Sequence, residues 1–171
     1  DLIYRGLVSV GQFYEADLLK SIKDMNIQGT YVDIGANIGN HSVFFARECN
    51  SEKVISFEPV KELCEIIKEN MSMNDANNGT VVNAALSDSS EPEIGIWVSC
   101  DENKGRSKID NESEIKVPNF MLDDYLEKNP SGDIGLIKID VEGFEAEVII
   151  GAKKTIEKYR PVIVAECWGR A

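Results

Sequence analysis

Asp33, Gly35, Asn37 and Gly39 fall at alternating positions in Tyr31-Val32-Asp33-Ile34-Gly35-Ala36-Asn37-Ile38-Gly39-Asn40-His41. The stretch reads as an apolar strand ending in an acid, a turn holding two glycines, and the start of a helix. Such a layout sets a ligand against exposed backbone at the carboxyl edge of a parallel sheet. Glycine suits the turn because it lets another group approach the chain closely. The spacing Asp-x-Gly-x-Asn-x-Gly differs from the Gly-x-Gly-x-x-Gly of dinucleotide binders. A pyrophosphate seeks bare helix N–H groups, and Asp33 is expected to repel it. A ligand with positive charge and no phosphate, such as S-adenosylmethionine with its sulfonium and ammonium, is expected to be attracted.

Glu58 ends the next apolar run, Val54 to Phe57. It stands at roughly the distance past the glycine turn at which an acid takes ribose hydroxyls in nucleotide folds. Both hydroxyls can donate to one carboxylate, which accounts for the residue type. Asp88, with Ser87 before it, lies past a third strand on the edge where an adenine ring would rest, and Asn83 and Ala84 at the end of that strand are placed to give the ring backbone contacts. Asn40, next to Gly39, and Asp140 on the neighbouring strand end are further candidates for contact with the donor. A third group is Lys138-Ile139-Asp140-Val141-Glu142-Gly143. Two carboxylates at a strand end are costly unless they bind something or move a proton. Asp140 or Glu142 is expected to take a hydroxyl proton during group transfer, with Lys138 as their ion-pair partner and Glu166 as a further acid on the same edge. His41, the single histidine, is a candidate base from the first helical turn. The sequence offers no Ser-His-Asp set, no phosphate-loop lysine and no cluster of metal ligands, so no metal site is expected.

The elements that must position these groups alternate between strand and helix. Helices are expected over Tyr14 to Met25, Asn37 to Glu48, the segment carrying Leu63, Ile66, Ile67 and Met71, Met121 to Lys128, and Phe144 to Tyr159. Strands are expected at Thr30 to Ile34, Val54 to Phe57, Thr80 to Ala85, Glu93 to Val98, Ser113 to Val117, Ile134 to Ile139 and Pro161 to Ala165. Cys100 to Asn111 has no apolar period and reads as a loop or hairpin tip. Gly135-Leu136-Ile137 and Val162-Ile163-Val164 are continuously apolar, as in strands buried on both faces of a parallel sheet. Repeated strand–helix–strand units give a doubly wound α/β fold. One domain is expected over 1–171, with an N-terminal helical segment at 1–29 and a ligand-binding core at 30–171. The last apolar strand lies at a sheet edge, which points either to a partner such as a second copy covering that edge or to a chain that continues beyond residue 171.

The net charge is −12, from 18 Lys and Arg against 30 Asp and Glu. Such a surface is a poor match for a phosphate backbone, so nucleic acid is not expected as the partner. No apolar run has the length of a membrane span, and nothing at the N-terminus reads as a signal peptide. Cys49, Cys64, Cys100 and Cys167 are widely spaced and read as reduced thiols of a cytoplasmic protein.

Together the segments resemble the FkbM family of S-adenosylmethionine-dependent methyltransferases. The resemblance rests on Val32 to Gly39, Ser56 to Pro59, Asn83 to Asp88, Leu122 to Tyr125, Ile137 to Glu145, Gly151-Ala152 and Arg160 to Glu166. It implies a Rossmann-like, mostly parallel sheet of the class I methyltransferase type, with the antiparallel strands that follow the fifth strand missing from this chain. It also implies methyl transfer from S-adenosylmethionine to a hydroxyl oxygen of a small molecule or sugar. Asp33, Gly35, Asn37 and Gly39 would surround the methionine part of the donor and Glu58 would hold the ribose. Tyr14-Glu15 is similar to the family segment that closes over the cofactor. Residues that choose the acceptor are expected in Glu93 to Val117 and beyond the C-terminus. The alternatives are a donor-binding module without turnover and an NAD-dependent oxidoreductase, the latter disfavoured by the glycine spacing and Asp33.

Overall fold

A computed structural model describes residues 13–98, 107–110 and 112–166. The first helix of the described residues is α1 (Ala16–Asp24), whose Leu19 and Ile22 are buried. There follow β1 (Thr30–Ile34), α2 (Asn40–Glu48), β2 (Lys53–Phe57), α3 (Lys61–Met73) and β3 (Gly79–Val82). A second group comprises β4 (Ala85–Leu86), β5 (Glu93–Trp97), β6 (Lys108–Ile109), β7 (Lys116–Phe120) and α4 (Leu122–Lys128). The chain then returns through β8 (Ile134–Ile139), α5 (Glu145–Gly151), α6 (Lys153–Tyr159) and β9 (Val162–Ala165).

The main sheet is parallel, in the order β3-β2-β1-β8-β9. The chain builds outward from β1 in one direction through β2 and β3, then crosses over to β8 and β9 on the other side. The strand order therefore reverses between β1 and β8, and the carboxyl ends of those strands bound the crevice where open α/β sheets take ligands. One face of the sheet packs Val32, Ile34, Ile55, Phe57, Ile137 and Ile139 against Leu122, Val148 and Ala152. The other packs Tyr31, Val54 and Leu136 against Leu19, Ile22 and Phe45. The α/β class and the parallel sheet are as the sequence predicts. No helix among the described residues is long and apolar enough to cross a membrane.

Several elements depart from the expected pattern. The strand expected over Thr80 to Ala85 divides in two, because the chain leaves the main sheet after Val82 and β4 pairs with β7 instead. β7, β5 and β6 then extend a smaller, partly antiparallel sheet in the order β4-β7-β5-β6. The strand expected at Ser113 to Val117 lies further along, at Lys116–Phe120. Part of the expected loop at Cys100 to Asn111 is strand β6, whereas 99–106 and 111 lie outside the described residues. The long helix expected over Phe144 to Tyr159 breaks at Ala152, which is buried against the sheet. β9 pairs with β8 on one side, so its apolar run is not buried on both faces, and Ile163 is 38% exposed. Cys49 and Cys64 are free thiols, while Cys100 and Cys167 lie outside the described residues.

Candidate active site at the carboxyl edge of the sheet

Gly35, Glu58, Asp140 and Glu166 are each the first residue beyond a strand. The backbone ladder carries one step past each strand end to hold them. Gly35 N donates to Phe57 O at 3.0 Å, Glu58 N to Val82 O at 3.1 Å, Asp140 N to Ile34 O at 3.0 Å and Glu166 N to Ile139 O at 3.0 Å. Gly35 sits at φ +76, and a Cβ added there would stand 1.8 Å from Asp140 O. A side chain at this position would fill the gap between the two strand ends, so the glycine is demanded by close approach as well as by the turn. Gly39 caps α2 and packs on Ile67 of α3.

A cleft of about 620 Å³, open to solvent, lies over this edge. Its floor is Gly35, Asn37, Glu58, Ala84 and Asp140, with Val141 and Glu142 at one end. Ile96, Ser107, Lys108 and Ile109 of the smaller sheet form its roof. Glu58 is 5% exposed, and its two oxygens accept from Asn37 N and Val60 N, each at 2.9 Å. Burial pushes its carboxyl up to about 7, against the pull of those two N–H groups. Each carboxylate oxygen keeps a further lone pair for a hydroxyl donor. Asn37 has φ +53, and its shielded Oδ1 has no hydrogen-bond partner among the described residues.

The remaining expected residues stand around this cleft rather than in it. Asn83 donates to the carbonyls of Glu58 and Pro59 at 2.9 and 2.8 Å, so its side chain braces the end of β2. Ser87 pairs with Asn119 at 3.0 Å, and Asp88 is exposed outside the cleft. Asp33 is fully buried; Ser42 Oγ donates to its Oδ2 at 2.5 Å, and Lys138 Nζ stands 3.4 Å from its Oδ1. Its charge is thus answered within the protein, and the expected direct repulsion of a pyrophosphate by Asp33 is muted by that cation.

A second open cavity, of about 580 Å³, lies on the other flank of β8 and is lined by Glu15, Leu18, Lys138, Asp140, Val164 and Glu166, among others. Asp140 lines both spaces. Burial raises Glu166, and the neighbouring Asp140, Glu15 and Glu142 push it further in the same direction. Glu15 stands in a left-handed conformation at φ 55. Asn40 holds the segment before it from both sides: Tyr14 N donates to Asn40 Oδ1 at 3.0 Å and Asn40 Nδ2 to Tyr14 O at 3.1 Å. His41 is 6% exposed, with Nε2 3.1 Å from Glu15 Oε2, within ion-pair distance though outside hydrogen-bond geometry. Contact with His41 holds the Glu15 carboxyl below the usual range despite its partial burial. Asn40 and His41 therefore secure the Tyr14–Glu15 segment and line neither cavity.

The roof from β5 and β6 is the part that sequence reasoning did not resolve into residues. Its one signal was the alternation of Ile94 and Ile96, which marks a half-buried strand without saying what the strand faces. No group of three or more metal-ligating side chains comes together among the described residues.

The model of the methyltransferase FkbM domain matches residues 33–169. Hexuronic acid methyltransferase AglP of Haloferax volcanii is 29% identical over 133 residues, covering 77% of this chain and 53% of that protein. Methyltransferase sdnD of Sordaria araneosa is 27% identical over 169 residues, covering 80% of this chain and 65% of that protein. The chain thus spans between about half and two thirds of the length of these relatives. Among solved structures, a methyltransferase FkbM from Methylobacillus flagellatus KT superposes with a TM-score of 0.55 at 19% identity, over 81% of this chain and 32% of the other. Precorrin-6y C5,15-methyltransferase from Geobacter metallireducens GS-15 gives 0.53 at 14% identity, over 91% and 63%. At these identities the structures share the fold, a class I methyltransferase sheet.

Proposed function

The chain belongs to the methyltransferase FkbM domain family, and on that premise we propose that it carries a methyl group from S-adenosylmethionine to a hydroxyl oxygen of a small molecule or sugar. The observation that carries the reading is Glu58. A buried carboxylate, pinned by Asn37 N and Val60 N in an open cleft at the sheet edge, has the chemistry to hold two ribose hydroxyls. Three further features fit the donor: the space beside Gly35 that a Cβ would fill, the unpartnered Asn37 Oδ1, and the apolar Ala84 and Ile96 on facing walls. When bound, the donor supplies a methyl on a sulfonium, which is already a good leaving group.

The protein's part is to hold, orient and take a proton. Gly35 and Asn37 seat the donor's polar end, Glu58 fixes its ribose, and the small sheet shields the base. An acceptor enters the second cavity and meets the first cleft at Asp140, the residue common to both. Holding the two reacting atoms in line supplies much of the rate. Asp140 takes the hydroxyl proton, with Glu166 facing it from β9; the raised affinity of Glu166 for a proton suits it to share that duty. Glu142 lines the first cleft together with Asp140. His41, turned toward Glu15, acts here by position and not as the base.

Incubation with donor labelled in the methyl group and a panel of sugars, polyketide alcohols and small phenols tests the reading. Label recovered as an ether supports it. Label bound by the protein but passed to no acceptor would favour a donor-binding module without turnover.

A further inference from the structure

Lys138 is buried at 5% exposure in the middle of the sheet edge, where an ammonium has few reasons to be. The register of β8 against β1 puts it directly beside Asp33. Its Nζ stands 3.4 Å from Asp33 Oδ1, 3.4 Å from Asp140 Oδ2 and 3.3 Å from Gly35 O. Those partners belong to three parts of the site: the end of β1, the glycine turn and the end of β8. Burial alone would lower the ammonium, yet the two carboxylates more than offset it and Lys138 is raised above the usual lysine value.

A role in folding alone does not require this charge. Burying an ion pair costs several kcal/mol per ion before attraction is counted, and apolar replacements of similar volume are often neutral or stabilising. Asp33 already has Ser42 as a hydrogen-bond partner, and Ser42 in turn accepts from Ser56 Oγ at 2.7 Å. What the ammonium adds is a three-way link. It ties the carbonyl of the turn that faces one cavity to the carboxylate that lines both.

We propose that Lys138 is a positioning residue for methyl transfer: one buried ammonium fixes the glycine turn and Asp140 at a set separation, so that a ligand in the first cleft and one in the second cavity meet in register. The inference rests on the donor reading proposed above, and it concerns a residue that reading leaves without a part.

The test removes the link while sparing the fold. Lys138→Met alone strands the buried Asp33 and is expected to lower the melting temperature. Adding Asp33→Asn removes the stranded charge, so the double variant is expected to melt near the wild type. Titration calorimetry with S-adenosylhomocysteine then separates the two roles. Positioning predicts that the stable double variant still binds about ten- to hundredfold more weakly, because Gly35 and Asp140 remain untied. A purely structural role predicts that affinity returns together with stability, and that result overturns the proposal. Should the double variant not fold, Lys138→Met, which removes every donor of the link, is titrated in its place well below its melting temperature, and unchanged affinity again overturns it. Wild-type protein that binds no adenosyl ligand overturns the donor reading, and this inference with it; wild type and double variant binding equally overturn this inference alone.

Discussion

Donor binding should be coupled to the loss of a proton from Glu58. In the free protein burial brings its carboxyl to about 7, so near neutrality about half the molecules carry a neutral acid there. Ribose hydroxyls donate to the charged form and pull the group down on binding. Affinity should therefore follow the ionised fraction. Between pH 8 and pH 6 that fraction falls from about nine tenths to about one tenth, so the dissociation constant should rise about tenfold. Calorimetric titration of S-adenosylhomocysteine from pH 5.5 to 8.5 reads the slope directly. Repeating it at pH 7 in buffers of different ionisation enthalpy should count about half a proton released per ligand bound. Glu58→Gln keeps the shape and removes the charge; it should weaken binding about ten- to hundredfold, the worth of a charged hydrogen bond, and flatten the profile. Flat wild-type affinity with no proton released would refute the reasoning, because the ligand would then not be drawing on this carboxylate.

The same residue bears on stability. Because the folded-state value lies above the ordinary 4.5, stability from Glu58 is fully present below pH 4.5 and is lost as pH rises through about 7, by about 3 kcal/mol in all, so denaturant midpoints between pH 4.5 and 8 should fall in the wild type relative to Glu58→Gln. Gly35→Ala puts a Cβ 1.8 Å from Asp140 O at φ +76, so it should lower the melting temperature by many degrees and abolish adenosyl binding in whatever folds. Asn40→Ala removes both bonds to Tyr14 and should cost about 1–3 kcal/mol, with the Tyr14 amide exchanging faster by NMR while Glu58 chemistry is untouched. Glu15, Asp140 and Glu166 on the second cavity should disfavour a negatively charged acceptor, so a neutral sugar should exceed the matching uronic acid in kcat/KM by about tenfold or more.

Much of this molecule is legible in the residues, and the reasons are local. Ile134–Ile139 is of strand length, apolar but for Lys138 and followed by an acid, and the structure has that strand with those bounds. The turn from Asp33 to Gly39 announces itself because its glycines answer to a backbone that no other residue fits. The acids at strand ends follow from the same logic, since a parallel sheet delivers them all to one edge. What the sequence hides is non-local. Ala85–Leu86 is too short for any period, and it joins a second sheet through a partner more than thirty residues on. Ala152 breaks a helix in a good helical pattern because the sheet, not propensity, sets the direction there. Asn40 and His41 read as site residues, and only the fold shows them turned toward Tyr14 and Glu15. Lys138 likewise reads as a simple ion-pair partner until the register places Asp33, Asp140 and Gly35 around it.

The central claim is that the cleft above Gly35 and Glu58 is a methyl-donor site and not a dinucleotide site. One side-by-side titration tests it most directly, with S-adenosylmethionine, S-adenosylhomocysteine and NAD added to the same protein at pH 8. The account predicts that both adenosyl ligands bind one per chain, and that NAD neither binds nor displaces them. NAD bound with neither adenosyl ligand bound would contradict it.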